Sequence, residues 1–323
     1  MIIIIYYSWA FDIIPRMVEA VRVVSDVEPT QEITRELPRE IINDAVVGGK
    51  LIEGIVAEGK QLMFDVDGVV GDGRSEEIVI AEEGLIEALR ILEDQVDIGI
   101  ATARNIKAIE ELRGKGLKIK GDCIFEEGHV VVRGGKIKRL STKKHRGFIR
   151  AVKDRFGTER RLEGFGIGLG LSPWQGEARV SLAIKNRMTA LSDEQIISQL
   201  MWDFYECAEP FDGFDVDSKV VLRMRDMGEN GQVLVVSAKK GRRLVDKGMA
   251  GEELIGSWTF FGDGPGDLSL AQVTVAKGGR VVGVGESSDV TSEIGEFISL
   301  AGNIFENREV LVKSFNAAES FLG

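Results

Sequence analysis

Asp65 and Asp67 stand where a short apolar run meets a glycine-rich loop, in LMFDVDGVVGDG at 62–73. Asp263 and Asp267 hold the same kind of place in SWTFFGDGPGDLSL, about 200 residues later. Taken singly, an aspartate in such a setting is ordinarily a turn former or a helix cap. Taken together, two acidic pairs at the ends of apolar strands meet in one crevice if the strands belong to an open parallel sheet, whose ligand sites lie beyond the carboxyl ends. Carboxylates gathered there repel one another unless protons or a cation neutralise them. The chain has 2 cysteines, Cys123 and Cys207, and 2 histidines, His129 and His145, too few and too scattered for a zinc site or a disulfide framework. The expected ion is therefore Mg²⁺, which takes oxygen ligands and works with phosphate groups.

The elements that would position these residues follow from the hydrophobic pattern. The apolar run before Asp65 is followed by an amphipathic helix at 84–94. VDIGIATAR at 96–104 repeats the form, a strand ending in the small hydroxyl residue Thr102 before a helix at 106–116. Strands alternating with helices predict an α/β fold, a Rossmann-like, mostly parallel sheet with helices on both faces. Residues 140–235 break the rhythm: helix KKHRGFIRAVKDRF, an alternating pair LEGFGIGLGLSP and ARVSLAIK, a helix opening at Ser192 without a strict capping box, then strands FDVDSKVVLRMR and QVLVVSA. This is a small α+β unit inserted into the α/β chain. The α/β pattern then resumes, so the core is discontinuous, over 61–139 and 236–323, with the insert as a cap at 140–235.

Four segments, in order, resemble the signatures of the haloacid dehalogenase-like hydrolases: FDVDGVV at 64–70, IATAR at 100–104, AKKG at 238–241 and FGDGPGD at 261–267. The placement of the insert is similar to the subgroup that includes the Cof-like sugar phosphatases, sucrose-phosphate phosphatase and archaeal phosphoglycolate phosphatase. The resemblance implies a Mg²⁺-dependent phosphatase acting on a small phosphorylated metabolite. Asp65 would be the nucleophile, Asp67 the acid and base, and Thr102 a donor to a phosphate oxygen. Lys240, preferred to Lys239 because it precedes glycine, would supply positive charge. Asp65, Asp263 and Asp267, with the carbonyl of Asp67, would hold the metal. The fourth signature has Gly266 where many relatives carry asparagine. A phosphotransferase or phosphomutase, with an alcohol in place of water as acceptor, is the enzymatic alternative, and a binding or scaffold protein is the non-enzymatic one.

Within the insert, the alternate glycines at 162–173 read as a bulged edge strand or a place of close ligand approach. Arg179 and Lys185 are each a solvated charge or a contact for an anionic substrate, and Trp174 either packs at a hinge or closes over a ligand. Residues 1–60 form an extension outside the resemblance. Its Ile-rich start reads as a buried strand, too short for a membrane span and without a signal-peptide layout; helices are expected over 13–24 and over 28–57 with a break near Gly48 and Gly49. It would extend the sheet or form a homo-oligomer interface. With 52 acidic against 41 basic residues and a formal charge of -11, nucleic acid is not an expected partner. The overall expectation is a cytoplasmic enzyme with no membrane association.

Overall fold

The computed structural model describes residues 45–322, apart from 59–60, 74–76, 158–159, 163–166, 172–174, 186–191, 227–231, 286–301 and 306–307. The Ile-rich start, the helix expected over 13–24, Trp174 and the Lys185 side chain lie outside the described residues.

Five strands form a parallel sheet: β1 (Gln61–Phe64), β2 (Ile98–Ile100), β12 (Trp258–Gly262), β13 (Arg280–Val284) and β14 (Gly302–Phe305), in the order β14-β13-β12-β1-β2. The two acid-bearing strands, β1 and β12, are neighbours, with Phe64 beside Phe261. Successive side chains on a strand point to opposite faces, and both faces are covered here. Leu62, Phe64, Phe261, Val282 and Val284 enter one core, while Met63, Phe260 and Val281 enter another. The first core lies under α1 (Ala45–Ala57), α2 (Leu85–Leu92), α3 (Lys107–Gly114) and α9 (Arg308–Leu322). Its centre is aromatic, with Phe64 and Phe261 stacked at 4.5 Å between ring centroids and Phe315 of α9 edge-on to both. The second lies under α7 (Lys247–Glu252) and α8 (Leu268–Ala276). The expected α/β core with helices on both faces is thus present.

Helix α1 corrects the boundary drawn at residue 60. It runs through Gly48 and Gly49 without a break, packs along α9, and buries Ile52 and Ile55 completely in the first core. From Ala45 onward, the extension is part of the core layer. Beyond β2 the chain builds β3 (Cys123–Phe125), β4 (Val130–Arg133) and β5 (Lys136–Arg139), an antiparallel trio joined to the main sheet by a parallel bridge between Ala101 and Ile124.

The insert contains α4 (Lys143–Phe156), β6 (Arg160–Leu162), β7 (Ile167–Leu171), β8 (Val180–Lys185), α5 (Asp193–Ala208), α6 (Val216–Lys219), β9 (Val220–Asp226) and β10 (Gln232–Lys240). Its strands lie antiparallel as β9-β10-β8-β7-β6. One sheet face, with Val180, Leu182, Leu234 and Val236, packs on Phe148, Val152, Leu200 and Phe204 of the two long helices. Three local expectations change. Ser192 and Gln195 do form a reciprocal capping box at the start of α5. Asp215 caps the short α6, so β9 starts only at Val220. And β10 runs five residues past 235, into a hairpin with β11 (Arg243–Leu244).

Candidate active site

The end of β1 is fixed by its neighbour. Asp65 N–H donates to the Phe261 carbonyl at 2.8 Å, so Asp65 leaves the sheet beside the end of β12. The chain then turns tightly, with the amides of Val70 and Gly71 both donating to the Val66 carbonyl. Gly68 has φ +93° within this turn, and a Cβ there would stand 1.8 Å from Asp263 Oδ2. Glycine is required twice over, by backbone conformation and by the approach of a carboxylate. On β12's side the chain enters a short 3₁₀ turn, Pro265–Asp267, and Asp267 Oδ2 accepts the Asp263 N–H at 3.2 Å. The outcome is a cluster in which Asp65, Asp263 and Asp267 each present an oxygen within 4.8 Å of the others. A Cβ at Gly266 would meet nothing within 4 Å, so this position has room for a side chain.

Lys240, the lysine expected at the site, does not lie at the acidic cluster. Lys240 lies at the end of β10, more than half exposed, with Glu253 Oε1 3.6 Å from its ammonium. Gly241, with φ +65°, serves the β10–β11 hairpin rather than a helix start. Lys247 lies beside that cluster instead. It is the first residue of α7, whose N-cap Asp246 accepts the Met249 N–H, and it too precedes a glycine. Gly248 packs so closely on the Ser269 carbonyl that a Cβ would lie 2.6 Å from that oxygen. Lys247 Nζ, almost wholly buried, lies 2.6 Å from Asp267 Oδ1 and 3.1 Å from Asp65 Oδ2.

Thr102 is fully buried at the end of β2; its N–H donates to the Ile124 carbonyl, and its hydroxyl oxygen accepts the Arg104 N–H at 3.1 Å, leaving the hydroxyl proton for another acceptor. Asp67 does not add its carboxylate to the acidic cluster. Its Oδ1 is held by Arg104, at 2.8 Å from Nε and 2.7 Å from Nη2. Arg104 closes the same IATAR segment as Thr102, and only its pairing with Asp67 marks it as part of this region. Arg179 is buried rather than solvated: its Nε lies 3.2 Å from Glu127 Oε2, and Nη1 donates to the Ala103 carbonyl beside Thr102.

Electrostatics bear on whether a cation suits the cluster. Burial, and then the neighbouring Asp267, push the Asp65 carboxyl well above its ordinary range, with Asp263 adding to the effect and Lys247 opposing it. Burial and Asp267 likewise push Asp263 up to about 7. Burial alone would push the Lys247 ammonium down, yet Asp267 and Asp65 outweigh it and hold the group above its ordinary value. With all three carboxylates ionised, the one ammonium leaves two negative charges unbalanced, and every donor is oxygen. A hard divalent cation fits that donor set.

No protein-family model and no curated protein matches the chain. Solved structures do. A trehalose-6-phosphate phosphatase related protein superposes with a TM-score of 0.50 at 15% identity, covering 81% of this chain and 97% of that one. The chain has a haloacid dehalogenase-like fold. Among other structures similar to it are Aspergillus fumigatus trehalose-6-phosphate phosphatase, at 14% identity over 88% of this chain and 98% of that one (TM-score 0.47), and a haloacid dehalogenase subclass IIB sugar phosphatase, at 16% over 81% and 98% (TM-score 0.46). Within the haloacid dehalogenase-like fold, the acidic cluster lies at the carboxyl ends of two adjacent central strands, where open α/β sheets place their ligands. Among the described residues no helix is long and apolar enough to cross a membrane.

Proposed function

We propose that this protein is a Mg²⁺-dependent phosphatase that hydrolyses a small phosphomonoester through an aspartyl-phosphate on Asp65. The observation that carries the reading is the convergence of Asp65, Asp263, Asp267 and Lys247 beside Thr102's strand, in the haloacid dehalogenase-like fold. Asp65, Asp263 and Asp267 would hold the cation, which when bound offsets the negative charge of the phosphoryl oxygens.

An Asp65 oxygen attacks phosphorus, and the bond from phosphorus to the ester oxygen breaks. Asp67 gives a proton to the departing alcohol. In the second half, Asp67 takes a proton from water as the water oxygen attacks phosphorus, and inorganic phosphate and free Asp65 result. Splitting one displacement into two is what a carboxylate nucleophile contributes. Lys247 keeps Asp65 paired and directed, and Arg104 fixes the direction of the Asp67 carboxylate. The Thr102 hydroxyl donates to a phosphate oxygen. Such preplaced charges and donors usually supply the largest share of catalysis.

The substrate range is phosphoglycolate or a sugar phosphate, read by the insert acting as a cap. A panel of phosphomonoesters with Mg²⁺, followed by phosphate release and kcat/KM, tests this reading. Phosphate release with no added alcohol supports hydrolysis. Turnover that requires an organic acceptor would mean phosphotransfer, and turnover undiminished after exhaustive chelation would remove the cation from the account.

A further inference from the structure

Two consecutive glutamates between core and insert have no part in the chemistry above. Glu126 and Glu127 follow β3, and each has φ +53°, a left-handed conformation that side-chain-bearing residues seldom adopt. In an extended strand neighbouring side chains point to opposite faces; this turn allows both carboxylates to reach the insert. Glu126 is buried and grips two successive amides of the β7–β8 loop, with Oε1 accepting from Glu177 N–H at 2.8 Å and Oε2 from Ala178 N–H at 2.9 Å. The approach is so close that a Cβ on Gly176 would stand 2.3 Å from the Glu126 carboxyl. Glu127 Oε2 lies 3.2 Å from Arg179 just before β8 and 3.7 Å from Arg223 of β9, so it spans the insert's sheet.

The same two residues are tied to the loop after β2. Glu126 N–H donates to the Arg104 carbonyl at 2.8 Å and Glu127 N–H to the Thr102 carbonyl at 3.1 Å. Asn105 adds a bond from the core to the Gln175 carbonyl. The turn is therefore held on one side by the Thr102 segment and grips the insert on the other. Strained backbone of this kind persists where its surroundings over-determine it, as at clamps and switches.

We propose that Glu126 and Glu127 form a clasp that seats the cap's β7–β8 loop on the Thr102 segment, which makes Glu126 a positioning residue for the reaction. The kinetic part of this inference rests on the phosphatase reading; the clasp itself does not. If substrate binds the seated form, weakening the clasp lowers the seated fraction and raises the apparent dissociation constant in proportion.

The test uses the full chain with Glu126→Gln, hydrogen exchange followed by mass spectrometry, and p-nitrophenyl phosphate with Mg²⁺ as the kinetic probe. The clasp predicts that exchange at Glu177 and Ala178 quickens by about tenfold or more while β1 and β12 keep their protection, the mark of a local opening. It also predicts a KM raised severalfold with kcat little changed. Unchanged protection at 177–178 would overturn the clasp, and a fall in kcat at constant KM would overturn the positioning role. If Glu126→Gln loses protection throughout, Gly176→Ala, which crowds the loop off an intact carboxylate, decides by the same readouts. Wild-type protein inactive on the probe would count against the phosphatase reading, and the exchange result would still decide the clasp.

Discussion

Replacing Lys247 with methionine keeps much of the side chain's volume and removes its charge, which separates the two lysines considered for this site. The ammonium lies 2.6 Å from Asp267 and 3.1 Å from Asp65. With an effective dielectric near 20, each contact corresponds to an attraction of about 5–6 kcal/mol before the desolvation of three charges is set against it. Removing one partner of such a buried group typically costs about 3–5 kcal/mol, because the remaining charges stay buried and unpaired. As a loss of transition-state stabilisation, a comparable electrostatic deletion lowers kcat by roughly 10²–10³-fold. Lys240 is more than half exposed and 3.6 Å from Glu253, and a surface pair of that kind contributes about 0–1 kcal/mol. Phosphate release and thermal unfolding should therefore show Lys247→Met nearly inactive and less stable without Mg²⁺, with Mg²⁺ restoring more stability to it than to the wild type. Lys240→Ala should stay close to wild type in both. Strong loss of activity in Lys240→Ala beside an active Lys247→Met would refute the assignment of the site lysine.

Gly68→Ala should cost about 1–3 kcal/mol from its positive φ alone and should also displace Asp263, 1.8 Å from the new methyl, so chemical denaturation and Mg²⁺ affinity should both weaken. Ile55→Ala should cost about 2–5 kcal/mol in urea unfolding if α1 belongs to the core; a cost near zero would return residues 45–57 to the periphery. Burial pushes His129 down to about 3 and His145 down to about 4, so the unfolded chain takes up protons there that the folded chain refuses. The stability they contribute is complete above about 6.5 and declines as pH falls, by about 1.4 kcal/mol per pH unit for each histidine between about 4 and 6.5. Unfolding free energies across that window should show this slope, and His129→Gln should reduce it.

Much of the site could be read from the sequence because its signals are local. An apolar strand that stops in aspartate and glycine marks Asp65 and Asp263 without any knowledge of pairing, and adjacency of β1 and β12 then brings them together. The lysine beside the cluster also has a local signal, but a competing one stands close by. Two Lys-Gly pairs stand seven residues apart, and only the second follows a capping residue, Asp246, at a helix start. Arg104, Arg179 and Glu127 were out of reach for another reason: their partners lie tens of residues away, and nothing in a glutamate's identity announces a left-handed backbone. Helix α1 shows a third limit. Its helical pattern was visible, but its membership of the core depends on packing against α9, more than 250 residues later in the chain.

Phosphorylation of Asp65 can be trapped by rapid acid quenching during turnover of a ³²P-labelled phosphomonoester, followed by peptide mapping. A transient, hydroxylamine-sensitive label is expected on the peptide carrying Asp65 and is expected to be absent from Asp65→Asn protein. Phosphate release with no labelled protein at any quench time, or near-normal turnover by Asp65→Asn, would contradict phosphorylation of Asp65.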